Sequence, residues 1–338
     1  MTYTENFQEK KGRRTRLTFF GSGTSQGVPV IGCQCEVCRS ADPMDKRLRS
    51  SVLVEHEGMT ILVDAGPDFR AQMLRADVRH LDAILLTHNH KDHTGGLDDV
   101  RALNYTEGRA CEIYCEKYVE DSLRMEYSYA FAAHKYPGAP EWHVHNITDE
   151  PFTVRFDDSA PHLRWESGIG YHEVPGDPNG AVRETTVIPI RGMHGALPVL
   201  GFRFGNIAYC TDMNYIPEEE FAKLEGLEHF IINTVKRGTH NSHWGLEQAI
   251  EVCRRVGAKH SWLTHLSDRL PKYKDFVPEL KALPDNADGT PANILPAFDG
   301  LVIATCRHAI ATHSHQHRQQ RPDGAVRRAV GYGRCLPW

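Results

Sequence analysis

Several things this 338-residue chain lacks narrow its class first. No apolar run approaches the ~20 residues a membrane helix needs, so a soluble protein with no membrane contact is expected. There is no basic excess either. Lys and Arg number 39 against 44 Asp and Glu, a net charge of −5. A dedicated nucleic-acid binder would carry a positive field to neutralise phosphates, so nucleic acid is disfavoured as a partner. The first residues, MTYTENFQEKKGRRTR, have no apolar segment and no small-residue cleavage site, and Glu5 and Glu9 count against a mitochondrial transit peptide. Nine cysteines, an odd number, argue for a reducing compartment, with metal ligation or free thiols in place of a disulfide framework. The expected location is therefore cytoplasmic. No repeat of fixed period is visible. What is abundant is histidine, with 20 residues.

The chain reads as a flexible leader over 1–15, one domain over 16–306 and a disordered tail over 307–338 whose HSHQH segment is solvated. Leu17–Phe20 form a strand that runs into the Gly-rich loop GSGTSQGVPVIG. Ser51–His56 and Met59–Gly66 form a hairpin turning at Gly58 and ending in an acid, Phe69–Val78 a helix, and Leu81–His90 a buried strand that stops at polar residues. The strand, helix, strand rhythm implies layered α/β architecture. YVEDSLRMEYSYAF is a further helix, and YSYAF with Tyr136 and Trp142 is either a lid or packing on the core. Residues 155–183, polar and rich in Gly and Pro, read as an insertion or lid. TTVIPI, GFRFGNIAYCTD, HFIINTV, SWLTHL and FDGLVIAT are strand candidates, and Gly245–Val256 is an amphipathic helix.

The strongest chemical signal is THNHKDHTGG at the end of the Leu81–His90 strand. Two histidines one residue apart on extended chain, His88 and His90, point the same way. The turn that follows can bring Asp92 and His93 to a second point about 3.5–4 Å off, the separation of a two-metal centre.

HxHxDH in this setting resembles the signature of the metallo-β-lactamase fold, which implies an α/β, four-layer αββα sandwich with its site at one edge of two sheets. The resemblance implies further positions in a set order. Asp64 in LVDAGPD would orient the site through hydrogen bonds, His194 lies in RGMHG, Asp212 in AYCTDMN would bridge two metals, and His265 lies in WLTHLS. It assigns one metal to His88, His90 and His194 and the second to Asp92, His93 and His265, with Asp212 and a hydroxide between them. Zinc or manganese fits such a set.

Cys33, Cys35 and Cys38 have the CxCxxC spacing of three ligands to a tetrahedral zinc, with a redox pair as the alternative. Together with GTSQGVPVIG they make the chain similar to the PhnP-like phosphodiesterases. That narrower resemblance implies a third, structural zinc whose last ligand is a His three residues after the last catalytic His. Here that position is Asp268, an oxygen donor where the softer nitrogen is usual. In HNSHWGLEQA, His243 stands just before a helix where it could donate to a phosphate oxygen or protonate a leaving alkoxide, while His240 is read as structural. GSGTSQG lacks the Lys of a phosphate loop and is read as part of the site wall.

The expected activity is metal-dependent hydrolysis of a small or cyclic phosphate ester, a phosphodiesterase of EC 3.1.4 type, with Asp92 and His243 as catalytic groups. Rivals are a thioesterase or lactonase, an RNA-processing nuclease of the same fold, and a PqqB-like metal-binding carrier. The resemblance also suits a homodimer.

Overall fold

A computed structural model describes residues 15–305 apart from 137, 167–168 and 288. Residues 1–14 of the leader, the tail with HSHQH, and Cys306 and Cys335 lie outside the described residues. In chain order the elements begin with β1 (Arg16–Gly21), β2 (Ser51–His56), β3 (Met59–Val63), α1 (Phe69–Arg75), β4 (Ala83–Leu85) and α2 (Lys91–Thr94). They continue with α3 (Arg101–Glu107), β5 (Cys111–Cys115), α4 (Lys117–Glu126), β6 (Trp142–Asn146), β7 (Phe152–Asp157), β8 (His162–Glu166), β9 (Gly170–Val174) and β10 (Val182–His194). Last come β11 (Leu197–Phe204), β12 (Ile207–Cys210), β13 (His229–Asn233), α5 (Leu246–Val256), β14 (His260–Thr264), α6 (Tyr273–Lys281), β15 (Ile294–Pro296) and β16 (Val302–Ala304).

Period-two alternation explains the layers. Leu17, Phe19, Val52, Val54, Ile61 and Val63 point into one apolar core, where they meet Phe202, Phe204, Ile207, Tyr209 and Ile231. Their in-between neighbours Phe20, Leu53, Leu62 and Ile84 face the opposite way, onto Phe69 and Met73 of α1 and Val119 and Leu123 of α4. On the other side Ala208, Cys210, Phe230 and Ile232 pack on Leu246, Ala249 and Val252 of α5 and Phe276 and Leu280 of α6. Both faces of these strands are dry, which is why they read as continuous apolar runs. The result is helix, sheet, sheet, helix, as expected.

The first sheet runs β16-β1-β2-β3-β4-β5-β6 and the second β15-β14-β13-β12-β11-β10-β7. Strands β3, β4 and β5 are parallel, as are β12, β13, β14 and β15. Strand β10 is antiparallel to β11, which is antiparallel to β12, so β10 ends at the same edge as β12. The C-terminal ends of β3, β4, β10, β12 and β14 carry the motifs singled out above.

Two readings need correction, and one open alternative is decided. Residues 155–157 and 182–183 are paired strand, with Asp157 opposite Val182 and Phe156 opposite Arg183, so the irregular stretch starts later and ends earlier than 155–183. Its centre is the β8–β9 hairpin, which contacts α3. Trp142 is buried with Tyr127 and Phe131 in the α4-side core, so packing and not a lid accounts for it. The strand expected over Leu81–His90 is hydrogen-bonded as β4 only over Ala83–Leu85, because Thr87 onward turns away to form the site.

Candidate metal centre

Each motif leaves its strand as a loop that bends sharply. Asp64, Asp212 and His265 have left-handed backbone, with φ of 65°, 57° and 55°. That conformation costs a residue with a side chain about 1–3 kcal/mol, and it concentrates at sites that the surrounding structure over-determines. Gly66 is required nearby, since a Cβ there would lie 2.0 Å from the Asp92 carbonyl oxygen.

The imidazoles are oriented by the groups behind them. The Thr87 hydroxyl donates to Asp64 Oδ2 at 2.9 Å and so can only accept from His88 Nδ1, also at 2.9 Å. Ser50 donates to the Gly23 carbonyl at 3.0 Å and accepts from His265 Nδ1 at 3.1 Å. His93 Nδ1 donates to Asp64 Oδ2 at 2.7 Å, and His194 Nδ1 to the Asp212 carbonyl at 3.1 Å. In all four rings Nδ1–H is thereby engaged, so Nε2 is the free nitrogen and carries a lone pair wherever the ring is neutral. The Nε2 atoms of His88, His93 and His265 are buried with no hydrogen-bond partner. Buried polar atoms are rarely left so, and a cation is what such lone pairs fit.

The carboxylates complete the donor set. His93 Nε2 lies 3.2 Å from Asp92 Oδ2 and 3.2 Å from Asp212 Oδ2, and His265 Nε2 lies 3.2 Å from Asp212 Oδ1. Asp92, His93, Asp212 and His265 thus converge as one group able to hold a metal ion. A second group is His194, Asp212 and His243, with His243 Nε2 3.0 Å from Asp212 Oδ1. The expected set of His88, His90 and His194 is brought together as neighbouring rings, His88 to His90 at 4.6 Å and His90 to His194 at 4.9 Å between centroids. The expected proton donor His243, just before α5, lies against the Asp212 carboxylate itself. Thr211 also donates to Asp212 Oδ2 at 2.6 Å.

Charge in this pocket is unbalanced in a way a cation would correct. Burial works against protonating His93, yet the carboxylates of Asp212, Asp92 and Asp64 hold its pKa well above the usual range. Burial pushes His88 well down and His265 down to about 4, so those rings stay neutral donors.

A second cluster lies beside the first. Asp268 Oδ2 is 3.3 Å from Cys33 Sγ, 3.5 Å from Cys35 Sγ and 3.7 Å from Cys38 Sγ, so one carboxylate oxygen faces all three sulfurs. These four residues also form a group able to hold a metal. The structure thus brings Asp268 to the three thiols. Cys111, Cys115, Cys210 and Cys253 are buried free thiols and belong to none of these groups.

Sequence reasoning missed the supports. Ser50 and Thr87 set two ring tautomers, Asn233 clamps the Asp212 loop by bonding the Met213 N–H and carbonyl at 2.8 and 3.1 Å, and buried Arg47 donates to the Ser267 carbonyl at 3.1 Å. The Gly-rich loop acts through backbone. The Thr24 N–H donates to the Leu266 carbonyl and the Leu266 N–H to the Ser22 carbonyl, pinning the loop that carries His265.

Comparison with known proteins agrees with this geometry. A family model described as Beta-lactamase superfamily domain matches residues 59–266. A crystal structure of a new diphosphatase from the PhnP family is 33% identical, covers 86% of this chain and 97% of its own, and superposes with a TM-score of 0.68. Zn(2+)-bound PqqB from Methylobacterium extorquens, 18% identical over 85% of this chain and 99% of its own with a TM-score of 0.57, shares the fold. A protein of Porphyromonas gingivalis named octanoyltransferase is 38% identical over 85% of this chain, which spans only 51% of that relative's length. With the family model covering more than half of the chain and a PhnP-family structure matched along almost its whole length, the chain belongs to the metallo-β-lactamase superfamily, in its PhnP-like group.

Proposed function

We propose that the chain is a metal-dependent hydrolase of small phosphate esters. The observation that carries this reading is the set of imidazoles whose Nδ1 hydrogens are already engaged, leaving Nε2 lone pairs that converge with Asp92 and Asp212. His88, His90 and His194 would hold one divalent cation, Asp92, His93 and His265 a second, and Asp212 would serve both. Zinc and manganese both suit this nitrogen and oxygen set. When bound, such a pair supplies a water of lowered pKa and a clamp for a phosphate oxygen. Cys33, Cys35, Cys38 and Asp268 would hold a structural zinc.

The chain's own groups divide the remaining tasks. Asp92 accepts a hydrogen bond from the attacking water and sets its line of approach. His243, whose Nε2 reaches the pocket, gives its proton to the departing oxygen. Buried Asp64 and Thr87 keep the His88 and His93 rings from turning. The PhnP-family structure named a diphosphatase supports phosphoryl chemistry. The relative named octanoyltransferase favours a second reading, attack on an acyl carbonyl by the same centre, although this chain spans only half of it.

The test is metal content together with turnover of bis-p-nitrophenyl phosphate and p-nitrophenyl octanoate. Phosphodiester turnover by metal-loaded protein is expected, with H243A lowering kcat by about 10²–10⁴-fold at unchanged metal content. Faster cleavage of the octanoate would select the acyl reading. Metal loss in H243A would make that residue a ligand and remove its role as acid.

A further inference from the structure

The thiol cluster is open to solvent on one side and tied to the metal centre on the other. Ile31, at the tip of the GVPVIGCQC turn, is 97% exposed, and Cys33 and Cys35 are half-buried while Cys38 is buried. The ligand atoms of Cys33, Cys35, Cys38 and Asp268 all lie within 4.8 Å of one another. Each sulfur also accepts a backbone N–H. Cys33 Sγ takes that of Cys35 at 3.5 Å, Cys35 Sγ that of Cys38 at 3.4 Å, and Cys38 Sγ that of Val30 at 3.3 Å. The three sulfurs are therefore gathered, oriented and within reach of a small reagent.

Two chemistries are open to such a cluster, ligation and oxidation, and Asp268 shifts the balance between them. A divalent cation held by three thiolates and a carboxylate leaves one more negative charge on the set than three thiolates and an imidazole do. That charge makes the sulfurs better nucleophiles toward an oxidant. A change at Cys38 also has a route inward through hydrogen bonds. The Val28 and Arg47 N–H groups each donate to the other residue's carbonyl at 2.8 Å, so the segment leading into the thiols is paired with the one that carries Arg47. The Lys46 ammonium donates to the Cys38 carbonyl at 3.2 Å, and the Arg47 guanidinium donates to the Ser267 carbonyl at 3.1 Å. Ser267 lies between His265 and Asp268 on one short loop.

We propose that Cys35 and Cys38 are a reversible redox pair that sets how tightly the histidine–carboxylate centre holds its cations. The reagent is a small-molecule disulfide such as glutathione disulfide. The Cys35 thiolate attacks one of its sulfurs, forming a mixed disulfide and expelling one glutathione thiolate. Cys38 gives its proton to solvent and attacks the Cys35 sulfur, expelling the second. Both leaving thiolates take protons from solvent, so two electrons pass from the cysteine pair to the reagent, which departs as two thiols. The new bond takes two ligands from the thiol site, removes the contacts of Cys35 and Cys38 with Asp268 at 3.5 and 3.7 Å, and draws Cys38 off the Val30 N–H. The loop carrying His265 is loosened as a result. This inference rests on reading the histidine–carboxylate cluster as a metal centre and is independent of which ester is cleaved there.

The test exposes the zinc-loaded full chain to excess glutathione disulfide. Peptide mapping after alkylation is expected to find a Cys35–Cys38 disulfide, and a chromophoric chelator to register one equivalent of zinc released. Chelator competition at the histidine–carboxylate centre should then give an affinity lower by about fivefold or more, recovered after reduction and return of one equivalent of zinc. C33S keeps the pair and should still form the bond, whereas C35S should not respond. Should C35S fail to fold, the mapping on the unaltered chain decides. A Cys35–Cys38 bond that leaves the affinity of the imidazoles unchanged overturns the proposal, as does oxidation that maps to any other cysteines. Zinc bound at the imidazoles with no Cys35–Cys38 bond overturns the redox pair alone, while a chain that binds no zinc there before oxidation overturns the metal-centre reading as well.

Discussion

One hydroxyl decides which nitrogen of His265 faces the pocket. Ser50 Oγ donates to the Gly23 carbonyl and therefore accepts from His265 Nδ1. S50A removes that acceptor and frees the ring to turn. Metal affinity at the histidine–carboxylate centre is expected to fall about 10–100-fold with the fold intact, measured by chelator competition. A second residue-scale prediction concerns His80, which bridges Asp82 at 2.9 Å and Glu107 at 2.6 Å. Its hydrogen bonds to Asp82 and then Glu107 raise its pKa from 6.5 to about 9, against burial. A raised folded-state pKa means that its stabilisation is complete below about 6.5 and is lost as pH rises through about 9. The ring is about a third exposed, so the loss is about 1 kcal/mol or less. Urea midpoints across that range should show a slope that H80Q flattens. The cluster itself was legible because residue type and close spacing announce it, as in His88, His90, Asp92 and His93. Ser50 and Thr87 were not, because a hydroxyl is chemically unremarked until folding supplies its partner, and Ser50 lies 215 positions from His265.

Among the elements, strands buried on both faces were readable from their continuous apolar runs, and α1 and α5 from helical spacing. The edge strand β6, WHVHN, was not, since its half-exposed polar pattern lacks that run. Strand β7 hid for the same reason in a stretch rich in charge. The segment after β14 owes its shape to Arg47, fully buried, which donates to the Ser267 carbonyl and faces Asp45 at 3.4 Å. Burial lowers the Arg47 pKa while Asp45 opposes that fall. R47M leaves Asp45 as a buried charge without its partner. A loss of about 3–5 kcal/mol in urea unfolding is expected, with weakened metal binding because the His265 loop loses its anchor.

At the scale of the whole fold, the three large apolar cores of the described residues stack helices and sheets so that five strand ends meet at one edge. The four-layer plan was legible from the motif resemblance and the strand rhythm together. The route by which distant loops lock one another was not, because it runs through backbone hydrogen bonds that carry no residue preference. D268A should lower bound metal by one equivalent per chain and reduce the Tm, while the histidine–carboxylate centre keeps its ions. D268H should retain the full count, since a nitrogen donor suits three thiolates. Elemental analysis of protein purified without a His-tag reads both outcomes. The short loop from His265 to Asp268 has a thermodynamic consequence of its own. It serves two clusters at once, so filling either one narrows the conformations open to the other. Any such benefit would be reciprocal: the factor by which a cation on the thiols tightened binding at the imidazoles would equal the factor in the opposite direction, whichever ion arrived first.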